Sequence, residues 1–349
     1  MIKFNIKHKY LVLYNISTEI LNYMKPDGVE IDNYFEGTND CTSMNSIFER
    51  LCETLQNRSR LPNVIKFGLR KDIIAKILFN FNPQQVKLNY DVESLYEKFK
   101  EQFEISNPDN KKNLWYQYTR YIISGSEFLS EFDDVEDFKK FVQVFSYNKL
   151  TKASLPMLLE KEVIGLGFAL ACDFLKEIGY SDYPKPDVHI NRIMFELGLS
   201  ADNDFSSYKS VIEMADSLGE TAFKIDKVLW LVSSGNFYFD NVKVSSRRTE
   251  LIEKTKEIFR VMEGIEKGQI DDRYYSQVLE YLGLIDTNYY DKLNSMNLSE
   301  ELERDFSDDV ELTRALLTAI FREDHFSGGS LRKQIESGIV MDLFEVIYL

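Results

Sequence analysis

Residues 163–200 read VIGLGFALACDFLKEIGYSDYPKPDVHINRIMFELGLS, and the fold of the whole chain is decided by how this stretch is read. Leu155 to Glu160, just before it, is apolar-periodic and reads as the end of a helix. Gly165 and Gly167 then flank Leu166. Glycine permits positive φ and the close approach of another backbone. Phe168, Leu170, Ala171, Phe174, Leu175 and Ile178 fit one face of a second helix, which Gly179 stops. The amides opening that second helix have no intrahelical partner and lie at the positive end of its dipole, where anions, phosphate above all, bind. Tyr180 to Pro186 is a loop, because Pro184 and Pro186 disfavour helix before them. Asp187 stands at the N-cap of a further helix through Val188, Ile190, Ile193, Met194 and Leu197, ended by Gly198.

The order of a Gly-x-Gly bend, an apolar helix, a short loop, Asp-Val-His and another helix resembles the helix-hairpin-helix superfamily of base-excision DNA glycosylases. That family pairs a hairpin of the form L-P-G-V-G with a later V-D-[TV]-H; here the two read VIGLG and PDVH, and Gly167 precedes Asp187 by 20 positions, the family's spacing. The resemblance implies that Gly165, Leu166, Gly167 and Ala169 form a phosphate grip through backbone amides, with Lys161 beside it. It implies that Asp187 is the essential carboxylate and that His189 contacts a phosphate or braces the loop. It also allows a monovalent cation on the hairpin carbonyls, with no other cofactor or metal. Bifunctional members carry a lysine two residues after the second glycine; this chain has Ala169 there, which argues for hydrolysis without lyase chemistry.

The chemistry stands by itself too. Cleaving an N-glycosidic bond puts positive charge on the sugar, and a fixed carboxylate stabilises it better than mobile water. A carboxylate at a helix N-terminus is expected to stay ionised. The target base lies inside a duplex and must be flipped out. Plainer readings stay open: Asp187 as an N-cap alone, and the two glycines as an ordinary turn between helices.

With 349 residues the chain suggests two or three domains, and a hydrophobic fraction of 44% is ample for a core. No apolar run approaches the ~18 residues of a membrane span, and the N-terminal residues lack a signal-peptide pattern, so a cytoplasmic protein is expected. Cys41, Cys52 and Cys172 give neither a disulfide framework nor a zinc site, and exclude the four-cysteine iron–sulfur cluster of some members of the resembling family. His8, His189 and His325 are too few for a histidine-rich metal site. A net charge of −15 weighs against DNA binding unless a local basic patch supplies it. Lys149, Lys152, Lys161, Lys185, Arg192, Arg247 and Arg248 are the candidates, and each taken singly reads as a solvated surface charge.

Elsewhere the pattern is helical. Residues 43–55, 64–81, 91–103, 113–129, 132–145, 204–218, 221–231 and 246–262 read as helices, residues 1–20 as β-rich or irregular, and 23–40 as a loop. In the resembling family a helix upstream of the hairpin lines the base pocket, which points to Trp115 and Tyr118, although core packing is the plainer reading for both. Tyr147 or Asn148, in the break before the hairpin, is placed to fill the gap left by a flipped base.

The expected architecture is all-α: an N-terminal extension (1–44), a bilobed glycosylase-like core (45–262, hairpin 155–178, catalytic loop 179–189), a linker (263–273) and a small helical C-terminal module (274–349) suited to a protein partner. Within the module, 274–282, 289–293, 310–321 and 330–336 read as helices, with Asp324 and His325 in a structural turn. The expected function is a monofunctional DNA glycosylase acting on double-stranded DNA with a damaged or modified base, in repair or in defence against modified phage DNA. The competing expectation is a non-catalytic helical DNA- or protein-binding protein that keeps the hairpin.

Overall fold

The computed structural model describes residues 5–36, 41–267, 279–280, 284–295 and 297–348. It is built almost wholly of helices. In chain order these are α1 (Ile6–Met24), α2 (Met44–Gln56), α3 (Leu61–Ile65), α4 (Phe67–Ile77), α5 (Pro83–Asn89), α6 (Val92–Gln102), α7 (Leu114–Leu129) and α8 (Val135–Val144). The hairpin helices α9 (Lys149–Glu162) and α10 (Phe168–Glu177) follow, then α11 (Val188–Glu196), α12 (Asp204–Leu218), α13 (Ala222–Ser234) and α14 (Arg248–Glu266). The last are the single turn α15 (Leu298–Glu301), α16 (Val310–Ser327), α17 (Ser330–Ser337) and α18 (Ile339–Tyr348). Among the described residues the one strand pairing joins β1 (Asn236–Phe237) and β2 (Val242–Lys243), antiparallel, with Asn236 opposite Lys243. No helix among them is long and apolar enough to cross a membrane.

The chain divides into two compact units: one holds residues 1–29, 196–199 and 228–349, the other 30–195 and 200–227. Thus α13 begins in the second unit and ends in the first. These divisions differ from those expected. Residues after 310 do not stand as a module by themselves, because α18 packs on α1 and α14. The linker also shortens: α14 runs on to Glu266, and residues 268–273 lie outside the described residues, as does most of the helix expected over 274–282.

The N-terminal segment is a correction. Residues 6–24 are α-helical, not β-rich or irregular. Their tyrosines and β-branched residues favour strand. However, Leu13, Ile16, Ile20 and Met24 fall at helical spacing and are buried, and Asn5 caps the first turn with a capping box to His8.

In the second unit α7 lies centrally, touching α2, α3, α5 and α6. The helix expected over 64–81 breaks in two at Lys66, which adopts φ 50°, so Leu69 and Ile73 face solvent while Ile65, Ile74 and Leu78 are buried. Helix α10, on which the site depends, packs against α9, α2 and α12.

Candidate functional site

The bend between α9 and α10 is built by packing. Helix α9 starts in a capping box made by Asn148 and Thr151. It ends where the Val163 N–H donates to Leu159 O at 3.0 Å, and the Leu166 N–H donates to Val163 O at 3.1 Å. The Ile164 N–H donates to Ser124 Oγ at 2.9 Å, tying the bend to α7. Gly165 has φ 93°, and a Cβ there would stand 2.5 Å from the Tyr121 ring. Both facts require glycine at 165.

This changes the shares in the expected phosphate grip. Gly165 and Leu166 are buried, and the Leu166 amide already has a partner. Gly167 and Ala169 reach the surface, nothing stands within 4 Å of a Cβ built on Gly167, and Gly167 brings no side chain to cap α10. The amides without a side-chain cap are therefore those of the first turn of α10, where Phe168 is buried and Ala169 and Leu170 are half-buried. Lys161 is exposed near the end of α9. A monovalent cation at the bend would meet main-chain carbonyls alone, and those of Glu162 and Val163 already accept from Ser124 Oγ and the Leu166 N–H. Among the described residues no group of three or more His, Cys, Asp or Glu side chains is placed to hold a metal ion.

Asp187 caps α11. Its Oδ1 accepts from the His189 N–H at 2.8 Å and the Ile190 N–H at 3.2 Å. Its own N–H donates to Lys185 O at 2.8 Å. The carboxyl is half-buried, and its pKa lies above the ordinary aspartate value. Burial and the neighbouring Asp226 carboxylate push it up, against the two amides and His189, which pull it down. At this helix terminus burial and Asp226 outweigh the two amides and His189, so the pKa is raised rather than lowered. His189 is half-buried in the first turn of α11.

A cluster that sequence reasoning missed lies behind Asp187. Lys176 and Asp173 on α10 and Asp226 on α13 are buried. Lys176 Nζ lies 2.9 Å from Asp226 Oδ2 and 3.4 Å from Asp173 Oδ1. Lys185 Nζ lies 2.8 Å from Asp173 Oδ2, and its main-chain N–H donates to Asp226 Oδ2 at 3.1 Å. Burial works against the charges, yet Asp226 and Asp173 hold the Lys176 pKa well above its usual value. Likewise Lys185 and Lys176 hold Asp173 below the usual carboxylate range despite its burial. The signal in the sequence was two opposite charges three apart, Asp173 and Lys176, inside the apolar run FALACDFLKEI. Because Asp173 lies six residues beyond Gly167, the Lys185–Asp173 pair fastens the Asp187 loop to α10 about 9 Å along its axis from the bend.

Trp115 and Tyr118 are core residues, not pocket lining. Trp115 is buried, stacked on Phe103 with centroids 4.7 Å apart and against Phe99 at 5.2 Å. Tyr118 is fully buried, and its hydroxyl donates to Cys52 O at 2.9 Å. Tyr118→Phe is accordingly expected to cost about 1 kcal/mol in urea unfolding.

Of the two residues proposed for the flipped-base gap, Asn148 is committed to its capping box, whereas Tyr147 is 86% exposed. A second exposed element went unforeseen. Phe79, Asn80 and Phe81 all have left-handed φ, of 52°, 55° and 57°. Each such residue costs about 1–2 kcal/mol, and such strain gathers at functional sites. Phe81 is buried and anchors the turn, Asn45 Nδ2 donates to Asn80 O at 3.0 Å, and Phe79 and Asn80 face outward.

The basic residues near the hairpin are largely engaged. Lys149 pairs with Asp216 at 2.7 Å and Lys152 with Asp182. No family model, no curated protein and no solved structure matches this chain.

Proposed function

We propose that the chain is a monofunctional DNA glycosylase of helix-hairpin-helix type that hydrolyses the bond between a damaged or modified base and deoxyribose. The observation that carries the reading is the tie between the Asp187 loop and the hairpin helix. A half-buried carboxylate at the start of α11 is fastened, through Lys185 and Asp173, to the helix whose uncapped first turn would hold a phosphate.

In the reaction the flipped nucleotide loses its base as the C1′–N bond breaks and its electron pair leaves with the base. The sugar becomes oxocarbenium-like, and the Asp187 carboxylate stabilises it. Water adds its hydroxyl to C1′, and its proton passes by way of Asp187 to the departed base. Tyr147, or Phe79 with Asn80, fills the gap in the duplex. Ala169 offers no amine at the position where bifunctional members carry their lysine, so hydrolysis without a Schiff base is the expected course.

The test is to incubate the protein with damaged genomic DNA and modified phage DNA and to identify released bases by mass spectrometry. Release by the wild type supports the reading, and no release from any substrate overturns it. Borohydride treatment during turnover is expected to trap no covalent DNA adduct, and a strong adduct, at whichever lysine it maps to, would reverse the hydrolytic assignment.

A second reading, a non-catalytic DNA- or protein-binding protein, is favoured by one set of observations. Lysines near the hairpin are paired with acids, and an apolar row runs exposed along it: Tyr147 (86%), Leu150 (69%), Met157 (49%) and Ile164 (48%). Leu150 and Met157, seven residues apart within α9, share a face, and Ile164 follows in the bend. On this reading Asp187 is only a cap.

A further inference from the structure

We infer that Asp226 is a positioning residue, which holds Lys185 by its main-chain N–H and Lys176 by its ammonium and thereby fixes the place and electrostatic surroundings of Asp187. One oxygen, Oδ2, receives both donors, at 3.1 Å from Lys185 N and 2.9 Å from Lys176 Nζ. Lys185 is gripped a second time, through Nζ, by Asp173 at 2.8 Å. The loop is thus held at backbone and side chain of one residue. That residue's carbonyl accepts the Asp187 N–H at 2.8 Å. Four charged groups from α10, the loop and α13 converge two residues before the acid, where packing alone would need none.

Such a cluster is expensive to bury and is weak evidence of stabilisation, so its position calls for another role. The two lysines balance Asp173 and Asp226, and Asp187 is left as an additional negative charge at the edge of the group. The charged groups packed around this loop are Asp173 and Lys176 on α10, Lys185 and Asp182 on the loop, His189 on α11, and Asp226 and Lys227 on α13. Asp182 is engaged by Lys152 of α9. Lys227 sits over the Phe223 ring at 5.3 Å, and burial and then Lys176 push its pKa below the usual lysine value. Asp226 raises the pKa of Asp187, and Lys185 keeps the loop in reach of that field.

The sign follows. Asp187 must be ionised to stabilise the sugar cation, so base release rises with pH through the titration of Asp187. Removing the negative charge at 226 makes Asp187 easier to ionise and moves this acid limb to lower pH. Removing the positive charge at 185 does the opposite. A merely structural role would lower rates without moving the limb in opposite directions.

The inference rests on the glycosylase reading for its kinetic readout, so a second readout independent of activity is needed. Full-length protein carrying carboxyl-13C aspartate is titrated by NMR as wild type, Asp226→Asn, Asp226→Glu and Lys185→Met. The Asp187 midpoint is expected to fall by about one pH unit in Asp226→Asn, return towards wild type in Asp226→Glu, and rise in Lys185→Met. The acid limb of base release should move in parallel. An unmoved midpoint in Asp226→Asn overturns the inference. If that variant does not fold, Lys185→Met, whose side chain is already 24% exposed, decides the matter. Midpoints that move while no substrate loses a base would uphold the inference and sink the glycosylase reading. Base release with an unmoved acid limb would do the reverse.

Discussion

Asp187→Asn is expected to lower base release by about a thousandfold while the protein binds DNA as before and melts at the same temperature or higher. Asparagine caps a helix as well as aspartate does, so the Oδ1 contacts to His189 and Ile190 survive. What disappears is the charge that opposes the oxocarbenium. The stability arm of the test comes from the raised pKa. A carboxyl that is harder to ionise in the folded state favours folding while protonated, and this contribution is lost as pH rises through its folded pKa. Above that pH the ionised acid is a standing cost, imposed by burial and by Asp226. The variant should therefore gain about 1 kcal/mol over wild type at neutral pH and approach it in acid. Equal base release by the two proteins would leave Asp187 as a cap and favour the binding protein. A destabilised variant would show that its ionised form is welcome where it stands.

Gly165→Ala should destabilise the protein by about 2–4 kcal/mol and weaken DNA binding. Two separable costs add. The residue sits at φ 93°, a region side chains avoid, and the new methyl would stand 2.5 Å from atoms of the Tyr121 ring. The nearest atoms are Cγ and the Cδ pair, close to the ring's attachment, so the ring cannot swing clear by a small rotation. Urea unfolding of Gly165→Ala, Tyr121→Ala and the double variant separates the costs. The double variant should recover the steric share, a coupling of about 1–2 kcal/mol, and retain the backbone share. Strict additivity would mean that the ring does not press on the bend.

The helical class was legible because the helices carry their own punctuation. Ser43 and Asp91, at the expected helix starts, are the caps of α2 and α6, and Gly219 ends α12 in the left-handed conformation. The bend and the acid after it were legible for the same reason, as glycine and N-cap chemistry are local. What failed was non-local. Residues 6–24 look strand-like in composition, and only packing against α14 and α18 makes their helical face worthwhile. Trp115 and Tyr118 lie on a helix whose aromatic stripe suits a pocket or a core equally, and Phe99 and Phe103 decide for core. The rise in the Asp187 pKa was not legible because a helix terminus is visible in sequence, whereas Asp226, 39 positions later, is not visible as its neighbour.

The packing of α1 sets an order of events during synthesis. This helix leaves the ribosome before its partners, with Leu13, Ile16 and Ile20 needing cover, because α14 and α18 are more than two hundred residues further along the chain. Residues 30–227, the whole of the second unit, are made in the interval and can fold as they emerge. The nascent chain therefore carries an uncovered amphipathic segment until α14 and α18 follow, a ready target for chaperones, and the Asn15 amide finds its place on Tyr348 O only once α18 is out.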